Sequence, residues 1–182
     1  MSLSTVTATS GDGSAPAETA RMDRAKPARH TPALWVPRVD ALAEFGLMIS
    51  RHLTQCRRYG GHLAVLWLEA APLAREGQSW PHDAQDALML AVGRRLRSRV
   101  RGTDMVLQVG ESSFAVMLLD AGTPEANLVQ QRLMQVLNGP YNVDEHTMHV
   151  GLSMGAAAFP EGGVRGADLA ESARADLRRR QG

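Results

Sequence analysis

Few residues in this chain have a type and spacing that could do chemistry, and each has a plainer reading beside it. Cys56 is the only cysteine and sits next to Arg57 and Arg58, whose charges would favour a thiolate. An idle, partly exposed thiol is the plainer reading. A single cysteine also excludes a disulfide framework within the chain and a cysteine-based zinc cluster. His82 and Asp86 stand one helical turn apart, where such a pair ordinarily stabilises a helix N-terminus. Glu69 closes an apolar run and reads as a carboxylate solvated at a sheet edge. Arg94, Arg95, Arg97 and Arg99 circle a helix instead of lining one face of it. That arrangement predicts a solvated surface and no nucleic-acid binding. Lys26 is the only lysine among twenty basic residues, so a site that needs an ammonium after residue 26 has none.

These side chains need a scaffold, and 182 residues allow one domain and little more. With 44% hydrophobic and 21% charged residues, the composition is that of a globular fold, and a net charge of +1 gives no field that favours a polyanion. No apolar run approaches the ~20 residues of a membrane span, and the first residues lack the apolar centre of a signal peptide. A cytoplasmic protein without membrane insertion is the expectation. Residues 1–30, rich in Ser, Thr, Ala, Gly and Pro and without periodicity, read as a disordered tail, leaving one domain over 31–182.

Within that domain, Asp40–Tyr59 has helical spacing with Leu42, Phe45, Ile49 and Leu53 on one face, and Gly60-Gly61 ends it. His62–Glu69 reads as a buried strand, Ala70–Pro81 as a loop, and His82–Arg99 as a second helix. Met105–Val109 and Phe114–Leu119 form a hairpin around a tight turn at Gly110–Ser113. A helix over Pro124–Leu137, a second hairpin over Tyr141–Val143 and Thr147–Phe159, and a last helix over Ala167–Arg180 complete the order. Hairpins mixed with helical crossovers predict an α+β or α/β sandwich, a central mixed sheet of about five strands covered by helices.

The first hairpin and its surroundings carry a resemblance. Arg101-Gly-Thr-Asp104, then Gly110-Glu111-Ser112-Ser113-Phe114 and an apolar strand, is similar to the core of the GGDEF domain, the diguanylate cyclase family with a nucleotide cyclase-like fold. Pro81-His82 through Asp86-Ala-Leu-Met89 resembles that family's Gly-His-x-x-Gly-Asp helix start. Ser153-Met-Gly155-Ala-Ala-Ala-Phe159-Pro160 resembles its Ser-x-Gly-x-Ala-x-Phe-Pro strand, and Glu69 to Gln78 falls on its Asp-x-Asp-x-Phe-Lys-x-x-Asn-Asp stretch. The final helix departs from the family's Ala-Leu-Tyr-x-Ala-Lys pattern.

The resemblance implies a degenerate signature and no enzyme activity. Joining two GTP molecules needs divalent metal held by paired carboxylates. Glu69 keeps one acid, but the signature acids fall on Ser112 and Ser113, the phosphate lysine on Ala74, a second aspartate on Ala71 and the base-reading asparagine on Gly77. Glu111 replaces the second glycine that lets backbone amides approach phosphate. Glu69, His82, Asp86, Gly110, Glu111, Ser112, Ser113 and Phe114 are thus expected to be a vestigial active site, with no metal and no cofactor. What the resemblance leaves intact is the family's regulatory site for cyclic di-GMP. Arg101 and Asp104 match its Arg-x-x-Asp, and Arg132 matches its second arginine. Guanidinium forks pair with phosphate oxygens or guanine O6 and N7, and a carboxylate accepts from guanine N1–H and N2–H. The expectation is a bacterial cyclic di-GMP receptor, promoted to a homodimer by ligand, that regulates biofilm functions through an unidentified protein partner. The alternative is a ligand-free interaction module for exopolysaccharide, motility or secretion machinery, docking through the degenerate pocket or the Arg-rich final helix.

Overall fold

The structure, a computed structural model, describes residues 35–77 and 79–182, so the expected tail lies outside the described residues. The first helix, α1 (Leu42–Tyr59), buries Phe45, Ile49 and Leu53 and stops at Gly60, whose φ of 72° is the left-handed conformation glycine adopts without strain. The Gly61 N–H then returns to the Cys56 carbonyl at 3.0 Å. The strand β1 (Leu63–Leu73) follows, then α2 (His82–Arg97), β2 (Met105–Gln108), β3 (Ser113–Leu119) and α3 (Thr123–Leu137). The chain continues through β4 (Tyr141–Val143), β5 (His146–Phe159) and α4 (Gly166–Gln181).

The strands form one five-stranded sheet in the order β2-β3-β1-β5-β4. Every ladder between these strands is antiparallel, and among the described residues parallel pairing is confined to the single bridge from Arg38 to Gln108. The helical crossover does bring β2 back in the direction of β1, as a crossover must, but β3 is inserted between the two. The expected mixed character therefore survives only in that bridge.

β1 lies at the centre and is buried on both faces. Ala64, Leu66 and Leu68 pack with α2 and α3, while Leu63, Val65 and Trp67 pack with α1 and α4. Phe114, Val116 and Leu118 of β3 join the first of these clusters, as their alternation predicts. β1 also runs further than the apolar run suggests. Residues expected in a loop pair with β5 as far as Leu73 and His149, beyond the end of the β3 ladder at Glu69 and Ser113. Pro72 is tolerated there because it has the same strand parity as Ala70, whose N–H faces the β3 side. A proline on that side, past the end of β3, leaves no partner without its hydrogen bond.

α4 sits directly on β5. A Cβ at Gly155 would overlap the Ala173 carbonyl and the Leu177 amide, so this approach requires glycine. The outer side of β5 beyond β4 is held by side chains. The Gln130 amide donates to the Met154 carbonyl at 2.6 Å, and the Ala156 N–H donates to Asp176 at 3.0 Å. Partial burial raises the Asp176 carboxyl, and the Ala156 N–H with the Arg180 and Arg179 guanidiniums more than reverses this, leaving it below the usual range.

Candidate functional site

α2 opens and closes on the two groups of residues that the sequence singles out. Its C-terminal end runs into the loop that carries Arg101 and Asp104. There the Asp104 N–H donates to the Arg101 carbonyl at 3.1 Å, closing a tight turn. Asp104 is only 6% exposed, and both of its carboxylate oxygens are engaged by backbone. Oδ2 accepts from the Arg101 N–H at 2.9 Å and Oδ1 from the Leu119 N–H at 3.3 Å. A buried carboxylate is stable only with such partners, so Asp104 orders the loop and ties it to the end of β3. The expected contact of this carboxylate with a base edge would add to that role or compete with it.

Arg101 itself is exposed. Arg132 reaches the same loop from α3, its Nη2 donating to the Arg99 carbonyl at 3.0 Å. The three residues expected to act together are thus brought to one loop.

The sequence reading missed a fourth member. Arg97, in the last turn of α2, is half-buried. Its Nη1 donates to the carbonyls of Arg101 at 3.0 Å and Asp104 at 2.8 Å, and its Nη2 to that of Gly102 at 3.2 Å. Arg95 is also turned inward, with Nη2 2.7 Å from the Pro140 carbonyl and its guanidinium 3.6 Å from the centre of the Tyr141 ring. Of the four arginines expected to form a solvated surface, only Arg94 and Arg99 are exposed. Counting charges on a helix does not reveal which of them meet carbonyls after the chain turns.

The N-terminal end of α2 is different. His82 Nε2 and Asp86 Oδ2 face each other at 3.6 Å across an exposed surface, with side chains 84% and 67% accessible. Neither caps the helix. The local side-chain bond there is made by Asp83, which accepts from the Ala84 N–H at 3.0 Å.

Glu69 is not at a sheet edge. It is half-buried in the centre of the sheet, opposite Ser113 of β3 on one side and Ser153 of β5 on the other. These three residues share a face with Trp67, two residues back along β1. The Trp67 indole N–H is buried without a partner, and the Arg174 guanidinium of α4 lies 5.8 Å from the ring centre.

In the turn before β3, Glu111 and Ser112 are exposed. The Ser112 carbonyl accepts from the Ala70 N–H at 2.9 Å, and the Gln108 side chain donates to the Glu111 carbonyl at 3.1 Å. One carboxylate flanked by two neutral hydroxyls does not match the oxygen-rich, charged donor set of a catalytic divalent cation. No group of three His, Cys, Asp or Glu side chains suited to a metal occurs among the described residues. The donors around Glu69 therefore do not match the paired carboxylates that the resemblance implies for a catalytic metal.

Cys56 is likewise unsuited to nucleophilic work. Burial first, and then the Asp120 carboxylate, push its thiol up, while Arg57 is committed to the Val164 carbonyl.

Comparison with known proteins bears on the fold and the family. The family profile described as diguanylate cyclase, GGDEF domain, matches residues 43–181. The cyclic di-GMP phosphodiesterase NbdA of Pseudomonas aeruginosa is 32% identical over 129 residues, covering 71% of this chain and 16% of NbdA. The bifunctional diguanylate cyclase/cyclic di-GMP phosphodiesterase MucR of the same organism is 26% identical over 116 residues, covering 63% and 17%. The chain thus spans about a sixth of the length of these relatives. Among solved structures, the GGDEF domain of TpbB from Pseudomonas aeruginosa superimposes with a TM-score of 0.71 at 25% identity, covering 84% of this chain and 90% of that one. The FimX GGDEF domain of Pseudomonas aeruginosa gives 0.65 at 15% identity, covering 83% and 93%, which is a likeness of fold. With four helices around the five-stranded sheet and a profile match over most of its length, the chain belongs to the GGDEF domain family.

Proposed function

We propose that this GGDEF domain is catalytically silent and serves as a receptor for cyclic di-GMP, held by Arg101 on the loop between α2 and β2 and by Arg132, which reaches that loop from α3. The observation that carries the reading is the reach of Arg132 from α3 to the Arg99 carbonyl, which sets a second guanidinium beside the loop that exposes Arg101. Two guanidiniums at one loop suit a ligand with two phosphates and two purines, because each can pair with a phosphate or stack on a base. Silence toward GTP is supported by the donor set around Glu69, where Ser113 and Ser153 offer no charge to a cation.

Calorimetry with cyclic di-GMP tests the receptor reading, and incubation with GTP and Mg²⁺ or Mn²⁺ tests the silence. Saturable heat with the dinucleotide, weak heat with GTP or GMP, and no cyclic di-GMP produced are the expected results. A null titration would transfer the function to a ligand-free interaction module.

A further inference from the structure

Resting on that reading, we propose that Arg97 is the positioning residue of the cyclic di-GMP site. It does not touch ligand but holds the α2–β2 loop in the shape that presents Arg101. Its guanidinium joins the last turn of α2 to three carbonyls of the loop, those of Arg101, Gly102 and Asp104, at 3.0, 3.2 and 2.8 Å. The Asp104 carboxylate grips the same turn through the Arg101 amide and ties it to the end of β3 through the Leu119 amide. The turn is therefore held through three of its carbonyls by a cation, and through the Arg101 amide by an anion that is itself anchored to β3. The side chain of Arg101 is left exposed.

Position and bonding separate Arg97 from its neighbours. Arg94 and Arg99 are exposed, whereas Arg97 is half-buried with donors on both terminal nitrogens already used. A guanidinium in that state has little left to offer an incoming phosphate. Its effect on a ligand is exerted beforehand, by removing the ordering cost the loop would otherwise meet on binding. The planar fork matters as much as the charge. Three carbonyls spread along a turn are spanned by two nitrogens in a fixed plane, and a single ammonium on a flexible stem cannot span them. This predicts that lysine fails at position 97 although it keeps the charge.

The test uses two measurements on wild type, Arg97→Lys, Arg97→Ala and the control Arg94→Ala, which removes a charge from the same helix without removing a loop bond. In calorimetry with cyclic di-GMP, both Arg97 variants are expected to bind about tenfold or more weakly, and Arg94→Ala within about twofold of wild type. In hydrogen exchange of the ligand-free proteins, the Asp104 and Leu119 amides are expected to exchange faster in both Arg97 variants, while the Val65 amide in central β1 stays at the wild-type rate. That contrast separates loss of loop order from loss of global stability. Wild-type affinity in Arg97→Lys or Arg97→Ala, or unchanged exchange at Asp104, overturns the proposal and leaves the receptor reading standing. A wild-type protein that gives no heat with the dinucleotide overturns both.

Discussion

The two ends of α2 show what keeps a polar cluster in place. At the C-terminal end, Arg97 and Asp104 spend their donors and acceptors on backbone, Arg132 lends one of its donors to the Arg99 carbonyl, and the loop between α2 and β2 is fixed by bonds from three directions. At the N-terminal end, His82 and Asp86 face only each other and water. Close to the turn that follows β2, Glu69 lies between two serines. Side chains that bond backbone serve the fold even without a ligand, whereas side chains that would bond only ligand have no structural reason to stay. Arg101 is exposed like the residues of the N-terminal end, yet it is mounted on the ordered loop, and this is the combination expected of a recognition residue.

The largest expected effect lies in the core that both ends share. Phe114 is 1% exposed, and its ring lies 3.1 Å from where a Cβ at Gly93 of α2 would stand. Phe114→Ala should cost about 3–5 kcal/mol of unfolding free energy in urea titration. A small loss would mean that the hairpin is not anchored to α2 and that the two ends are not held by one scaffold. Next comes Arg101→Ala, which should weaken cyclic di-GMP by about 2–5 kcal/mol, thirtyfold or more, in calorimetry. The melting temperature should hardly move, because the side chain is exposed. Normal binding by this variant would erase the functional difference between the two ends.

The scaffold was legible because its signals are local and repeated. Phe45, Ile49 and Leu53 mark a helical face, the run after Gly60-Gly61 marks a doubly buried strand, and Gly110–Ser113 marks a hairpin. The extension of β1 to Leu73 was not legible, because pairing with β5 over residues distant in sequence overrides a proline and polar neighbours that locally suggest a loop. At the candidate site, Arg101, Asp104 and Arg132 could be picked out through family spacing. Their division of labour could not, because burial of Asp104 and exposure of Arg101 depend on how the chain turns between them. Arg97 was invisible for the same reason. Its partners are main-chain carbonyls, which leave no mark in side-chain identity.

A middle-sized effect tests the anion side of the loop. Asp104→Asn keeps one acceptor oxygen but turns an amide NH₂ toward a backbone N–H that needs an acceptor. With the side chain 6% exposed, one of its two backbone bonds is replaced by a donor–donor contact. The expected loss is about 1–3 kcal/mol of stability by urea titration, since a buried donor is left unsatisfied. Affinity for the dinucleotide should fall alongside it. A variant that loses affinity at full stability would instead assign Asp104 a direct contact with ligand, and the structural account of the loop would have to be shared with a base-reading role.

The smallest effects are expected where the sequence most resembles a catalytic signature. His82→Ala removes one partner of an exposed 3.6 Å pair, and such pairs contribute about 0–1 kcal/mol at most, so the melting temperature and cyclic di-GMP affinity should both stay near wild type. Returning carboxylates to the turn, as Ser112→Glu with Ser113→Glu, should likewise produce no cyclic di-GMP from GTP with Mg²⁺ or Mn²⁺. The reason is the number of separate requirements. A new acid opposite Glu69 would improve the donor set for a cation, yet Ala74 still offers no ammonium to a phosphate, Gly77 offers nothing to a base, and Glu111 still sets a negative side chain in the turn. Groups that act together in catalysis are not additive, so restoring one pair recovers little while the others are missing. Measurable cyclisation by this double variant would show that the turn beside Glu69 is one step from catalysis, and its contrast with the loop at the C-terminal end of α2 would then be one of missing acids alone.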